Sequence, residues 1–249
     1  VNQKNAGRVK ESSRQYTNII SIDPSTSCTG LCINGKLYTI VQHELAYTKK
    51  DKAKRWFELS SSFCDIITYN KRSKTGSYSE EEISKLEYYY NITDHIINVI
   101  KSNVVDFKNS VVLIEGFSYG SSSGHLIDLV GLSTLVRSRL WNMGFNIKII
   151  APADLKAMTA RLSYDPIDVG KKKPKLEWRN NSGVSGGSFD KHDMYSAILD
   201  SSKTNSKWKT FLQEYSDEIL NMKNVPKPID DINDAFLLYK IFKESLTPR

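Results

Sequence analysis

Short apolar runs that end in single acids set the rhythm of this chain. Ile19-Ile20-Ser21-Ile22 runs into Asp23, and Val111-Val112-Leu113-Ile114 runs into Glu115. Asn18 to Ile22 is β-branched and stopped by Asp-Pro, which predicts a strand. Gly30 to Asn34 and Lys36 to Gln42 predict two more, joined by the hairpin dipeptide Asn34-Gly35. Three antiparallel strands are therefore expected at the start, with Asp23 on the first. Val111 to Glu115 is apolar without alternation and predicts a central strand covered on both faces. Ile147 to Ala151 predicts a further short strand, stopped by Pro152.

Helical spacing fills much of the rest. Trp56 to Tyr69 is moderately apolar at helical period, with Trp56 and Phe57 read as core. Ser79 followed by Glu80, Glu81 and Glu82 predicts a helix start. Ile83, Leu86, Tyr90, Ile97 and Ile100 then mark one face of a helix reaching about Lys101. Leu126 to Met143 predicts a helix closed at Gly144, and Ala153 to Ala160 another. Asp190 reads as the N-cap of a helix to Ser201, and Phe211 to Leu220 as a further helix. The last helix, Asp230 to about Lys243, is entered through Pro226-Lys227-Pro228. Asn70 to Ser79 and the Gly/Ser-rich stretch Gly116 to Gly124 read as loops. Tyr164 to Ser188 is poor in apolar residues, carries Lys171, Lys172, Lys173 and Lys175, and reads as a mobile basic loop. Val1 to Thr17 is polar and basic without an apolar run, so it reads as a flexible tail and not as a secretory signal.

This order predicts an α/β fold: a mixed five-stranded sheet, its first three strands antiparallel, with helices on both faces. A single domain over residues 18–249 is expected, with insertions near 49–82 and 161–189. Asp231 and Asp234, spaced i and i+3, share one face of the last helix. That face can look at the strand ends that carry Asp23 and Glu115. Charges stranded at the edge of a core are costly unless a cation answers them. Converging carboxylates suit hard, oxygen-seeking Mg²⁺, and paired Mg²⁺ ions hydrolyse phosphodiesters.

Composition sharpens this reading. Of 249 residues, 39% are hydrophobic and 25% charged, which suits a globular protein. No apolar run approaches the roughly 20 residues of a membrane span. Cys28, Cys32 and Cys64 have no metal-ligand spacing, and an odd count argues for a reducing compartment. The net charge of +7 attracts polyanions, most simply nucleic acid. A basic surface around an acidic centre is what phosphodiester chemistry requires.

The motifs resemble those of the RuvC-like Holliday-junction resolvases of the RNase H-like nuclease superfamily, and most closely their bacteriophage members. Ile22-Asp23-Pro24-Ser25-Thr26-Ser27-Cys28-Thr29-Gly30 resembles the first motif of that family, Ile114-Glu115-Gly116 the second, and Asp231-Ile232-Asn233-Asp234-Ala235 the third. Lys156 after Ala151-Pro152, and Lys191 ahead of Met194, are similar to two family lysines. The likeness spans most of residues 18–244, although a long basic insertion replaces the family's glycine-containing stretch after Lys156.

The resemblance implies an RNase H-like fold and a homodimeric endonuclease that nicks branched double-stranded DNA. It implies two Mg²⁺ ions, with Mn²⁺ able to substitute, held by Asp23, Glu115, Asp231 and Asp234, and no organic cofactor. Asp23 would bridge the ions, Lys191 would face the scissile phosphate, and Lys156 would neutralise a neighbouring one. Phage-like kinship implies action in a host bacterial cytoplasm, during replication, recombination or packaging of DNA.

Plainer roles exist for each residue. Asp23 before Pro24 is a common turn. Glu115 can pair with a lysine at a strand end. Asp230 and Asp231 favour a helix N-terminus, an account that fits Asp234 less well. Lys171 to Lys175 can be phosphate contacts or a solvated loop. Phe117 and Tyr119 can stack on an unpaired base or pack in the core. His192 reads as a surface residue. Three function classes therefore stand: a junction-selective endonuclease, an RNase H-like nuclease of broader specificity acting on flaps or in packaging, and a non-catalytic DNA-binding protein. An actin-like ATPase would need a second phosphate loop, which Gly183 to Ser188 does not supply.

Overall fold

The computed structural model describes residues 15–48, 51–72, 76–117 and 123–246. A mixed six-stranded sheet forms its centre: β1 (Asn18–Asp23), β2 (Cys28–Ile33), β3 (Lys36–Gln42), β4 (Cys64–Tyr69), β5 (Ser110–Glu115) and β6 (Asn146–Ile150), in spatial order β4-β3-β2-β1-β5-β6. The first three strands are antiparallel, while β5 is parallel to β1, β6 to β5 and β4 to β3. At the first hairpin Asn34 (φ 52°) and Gly35 (φ 93°) take the left-handed conformation that a two-residue turn matched to strand twist requires.

Alternation along the strands separates two cores. Ile20, Ile22, Val112 and Ile114 face one side, covered by α2 (Tyr78–Asn103) and α3 (Ser123–Asn142). Ile19, Val111 and Leu113 face the other, covered by α4 (Pro152–Ser163), α5 (Lys191–Asp200), α6 (Lys207–Glu214) and α8 (Ile229–Leu246), with the short α7 (Ser216–Leu220) beside them. The expected α/β architecture with helices on both faces is thus present, with aliphatic and aromatic side chains filling both cores. Trp56 and Phe57, on α1 (Asp51–Ser60), are core residues as expected.

Several expectations need correction. The sheet has six strands, because the stretch read as one helix from Trp56 to Tyr69 splits at Ser60 and continues as β4 on the sheet edge. The start of α2 is capped by Ser77, not Ser79: Ser77 and Glu80 form a reciprocal capping box. The predicted apolar face of α2 is buried only in its second half. Ile92, Ile96, Ile97 and Ile100 are buried, whereas Ile83, Leu86 and Tyr90 are 55%, 49% and 42% exposed.

Residues 164–188 are no bare loop. β7 (Pro166–Asp168) and β8 (Leu176–Trp178) pair antiparallel. Asp168 ties the turn by accepting from the backbone N–H of Gly170 and Lys175. The unit docks on α4, with Arg161 over the Trp178 ring at 4.9 Å. The backbone at Gly186 approaches so closely that a Cβ there would lie 2.3 Å from that of Ala160. The expected N-terminal tail ends earlier than Thr17: Tyr16 packs on Phe242 and the Thr17 N–H donates to Asn109. Residues 1–14 of it lie outside the described residues.

Candidate metal centre

Three rules of local geometry assemble the site. First, Asp23 and Glu115 each follow a residue of the parallel pair Ile22 and Ile114, so both emerge at the same end of the sheet. Second, a strand turns alternate side chains to one face. Asp23 follows Ile19 and Ser21, and Glu115 follows Val111 and Leu113, onto the α8 face. Third, α8 lies directly on β1 and β2. The Ser21 hydroxyl donates to the Ala235 carbonyl at 2.6 Å. A Cβ at Gly30 would lie 2.0 Å from the Asp231 carbonyl oxygen. Only a residue without a side chain lets the first turn of α8 settle there. This gives the Thr29-Gly30 part of the first motif a physical reason.

Carboxylate oxygens of Asp23, Glu115 and Asp234 therefore converge within 4.8 Å of one another. Burial, then Glu115, Asp234 and Asp231, push the Asp23 carboxyl well above the usual range, against Lys191. Burial and then Asp234 push Glu115 to about 8. Burial also raises Asp234, opposed by Lys191. The buried Glu115 Oε2 has no hydrogen-bond partner. An all-oxygen trio with an orphaned buried oxygen, whose acids resist ionising together, fits a hard divalent cation.

Two lysines answer the remaining charge. Lys191, the first residue of α5, follows Asp190, whose side chain forms a capping box with Asp193. Its Nζ pairs with Asp234 and lies 3.0 Å from Asp230. Burial works against the Lys191 ammonium, but Asp234, Asp230 and Asp23 outweigh it and raise its pKa. Lys227 pairs with Asp231 and lies 3.3 Å from Asp230. Asp230 is partly buried, yet these two lysines hold its carboxyl below the usual range.

Of the four expected acids, three form the trio. Asp231 stands beside it, above Cys28 and bound to Lys227, with burial raising it to about 6. Asp230 and Lys227 are participants that the sequence reading left to helix-dipole and chain-direction roles. The signal lay in the i, i+3 and i, i+4 spacing of Lys227 to the two acids.

A cleft of about 300 Å³ opens over the trio and is lined by Phe117, Leu129, Lys156 and Lys191 among others. Lys156 and Phe117 thus both line the cleft. Lys171, Lys172, Lys173 and Lys175 lie at the exposed turn of the β7–β8 hairpin, where Lys175 pairs with Glu177 at 2.8 Å. Tyr119 lies outside the described residues. The His192 side chain is only partly exposed, and its Nε2 is buried without a partner. Among the described residues no helix is long and apolar enough to cross a membrane.

No protein-family model matches the chain, and no curated protein matches its sequence. Among solved structures, it is similar to that of Thermus thermophilus RuvC in complex with a Holliday junction substrate. The identity is 13% over 90% of this chain and 91% of that one, with a TM-score of 0.41. A second Thermus thermophilus RuvC structure shares 14% identity over 91% and 95% of the two chains, with a TM-score of 0.40. The architecture given above rests on strand order and helix placement rather than on this loose likeness.

Proposed function

We propose that the protein is a metal-dependent endonuclease, on an RNase H-like scaffold, that hydrolyses phosphodiester bonds in Holliday junctions or other branched DNA. The observation that carries this reading is the trio Asp23, Glu115 and Asp234, with oxygens within 4.8 Å, at the floor of a cleft walled by Lys156 and Lys191. The motif resemblance adds the preference for branched DNA and the setting of DNA replication, recombination or packaging in a bacterial cytoplasm.

Asp23, Glu115 and Asp234 would hold Mg²⁺, as a pair of ions, with Mn²⁺ as a substitute. When bound, these ions supply Lewis-acid activation of water and positive charge at the departing 3′ oxygen. Asp23 is the acid whose carboxyl feels Glu115, Asp234 and Asp231 together. Lys191 exchanges its contact with Asp234 for the scissile phosphate and stabilises charge that develops there. Lys156 neutralises a neighbouring phosphate, and the exposed lysines at 171–175 extend the backbone contact. Asp231 orients the first turn of α8 through Lys227.

Two active sites are needed for paired nicks, so the working form in this reading is a homodimer. The exposed apolar side chains of Ile83, Leu86 and Tyr90 on α2 support self-association. Incubation with a labelled four-way junction, a flap and a linear duplex tests the proposal. Symmetric nicks in the junction alone, dependent on Mg²⁺, support it. Equal cutting of all three moves the protein to the broader nuclease class. Binding without cutting in Mg²⁺ or Mn²⁺ leaves a non-catalytic DNA-binding protein.

A further inference from the structure

Arg137, on α3, is a cation that no acid among the described residues answers. Its Nε and Nη2 are buried without a hydrogen-bond partner, and no ion pair reaches it among the described residues. Its guanidinium carbon lies 5.1 Å from the centroid of the Phe117 ring, and Phe117 lines the cleft above Asp23 and Glu115. Burial alone holds its pKa below the usual value. A cation–π contact offsets only part of the cost of leaving buried guanidinium N–H groups without an acceptor. Lys191 and Lys227 each have two acids at hand; Arg137 has none among the described residues.

We propose that Arg137 receives a backbone phosphate of the nucleic-acid strand in the cleft, while Phe117 is the shelf on which the adjoining base stacks. The guanidinium fork matches two phosphate oxygens at once, and an aromatic shelf accepts any base. Arg137 as a whole is only partly buried, so a change of rotamer beside Phe117, rather than refolding, presents the fork to the strand. A ligand anion placed there relieves the unpaired charge, so the residue favours the bound state over the free one. The inference rests on the nucleic-acid reading above, and adds a residue to it.

The test is binding of a fluorescent four-way junction in EDTA across a range of KCl, for the wild type, Arg137→Gln, Arg137→Lys and Phe117→Ala. Arg137→Gln is expected to reduce the slope of log affinity against log salt by about one. It should also melt at or above the wild-type temperature, because an unanswered charge is gone. Arg137→Lys should keep the slope, and Phe117→Ala should weaken binding with the slope unchanged. An unaltered slope in Arg137→Gln overturns the proposal, as does a fall in melting temperature in both Arg137 variants with the slope intact. A wild type that fails to bind any DNA overturns the nuclease reading itself, and is seen before any variant is compared.

Discussion

Asp23 and Glu115 finish neighbouring parallel strands, each one step beyond the paired residues Ile22 and Ile114. Their carboxylates meet because strand register and side-chain alternation leave them no other place. Asp234 closes the trio because α8 rests against Gly30 without a side chain between them. The acids are held together by the fold, at an electrostatic cost that a cation removes.

That cost has a pH dependence. Glu115 titrates near 8 in the folded protein and at about 4.3 when unfolded. Its folded pKa is raised, so the folded state binds more protons across this window, and stability falls as pH rises from about 4 to about 8. In EDTA, Glu115→Gln should match the wild type in Tm near pH 4.5 and exceed it by a few degrees at pH 8. Mn²⁺ should raise the wild-type Tm more at pH 8 than at pH 6. A constant difference between the two proteins at every pH would sink this account of Glu115.

Lys191 pairs with Asp234 and Asp230. Lys191→Met should therefore move binding and chemistry in opposite directions. With the competing cation gone, Mn²⁺ affinity should rise several-fold, while cleavage at saturating metal should fall by about 10²–10³. Parallel loss of both would make Lys191 a support for the acids rather than a partner of the phosphate.

Asp231 and Lys227 form a separate pair beside the trio. A double-mutant cycle with Asp231→Asn and Lys227→Met should give a coupling of about 0.5–3 kcal/mol. The effect of Asp231→Asn on metal affinity should be smaller than that of Asp23→Asn. Equal effects on affinity would place Asp231 among the ligands.

Gly30→Ala should destabilise the protein by about 1–3 kcal/mol and weaken metal binding as well, because a methyl group at that position must push α8 off β2. Denaturant unfolding and Mn²⁺ titration of the same sample check both halves. An unchanged metal affinity in a destabilised variant would separate the helix seat from the metal centre.

The trio was legible in the sequence because each acid ended or opened an apolar run, a pattern fixed by neighbours in the chain. The strands β1, β2, β3, β5 and β6 were legible for the same reason. What escaped depended on partners distant in sequence. Cys64 to Tyr69 carries no strong alternation, and only parallel pairing with β3 makes it a strand. Ile83, Leu86 and Tyr90 have helical period like Ile97 and Ile100, but nothing in the period says where the sheet beneath them stops. The partial burial of Arg137, and its lack of an acid, arise from packing against Phe117 twenty residues away in the chain. Lys227 lies between Pro226 and Pro228, a local pattern that speaks of chain direction and not of charge pairing.

The most direct test of the central claim is a Mn²⁺ titration of the protein at pH 8, read by electron paramagnetic resonance. Asp23→Asn, Glu115→Gln and Asp234→Asn should be run beside the wild type. Saturable binding by the wild type, lost or weakened at least tenfold in each of the three, is the predicted result. Wild-type binding that survives all three substitutions, or no binding at all, would contradict a metal centre at these acids.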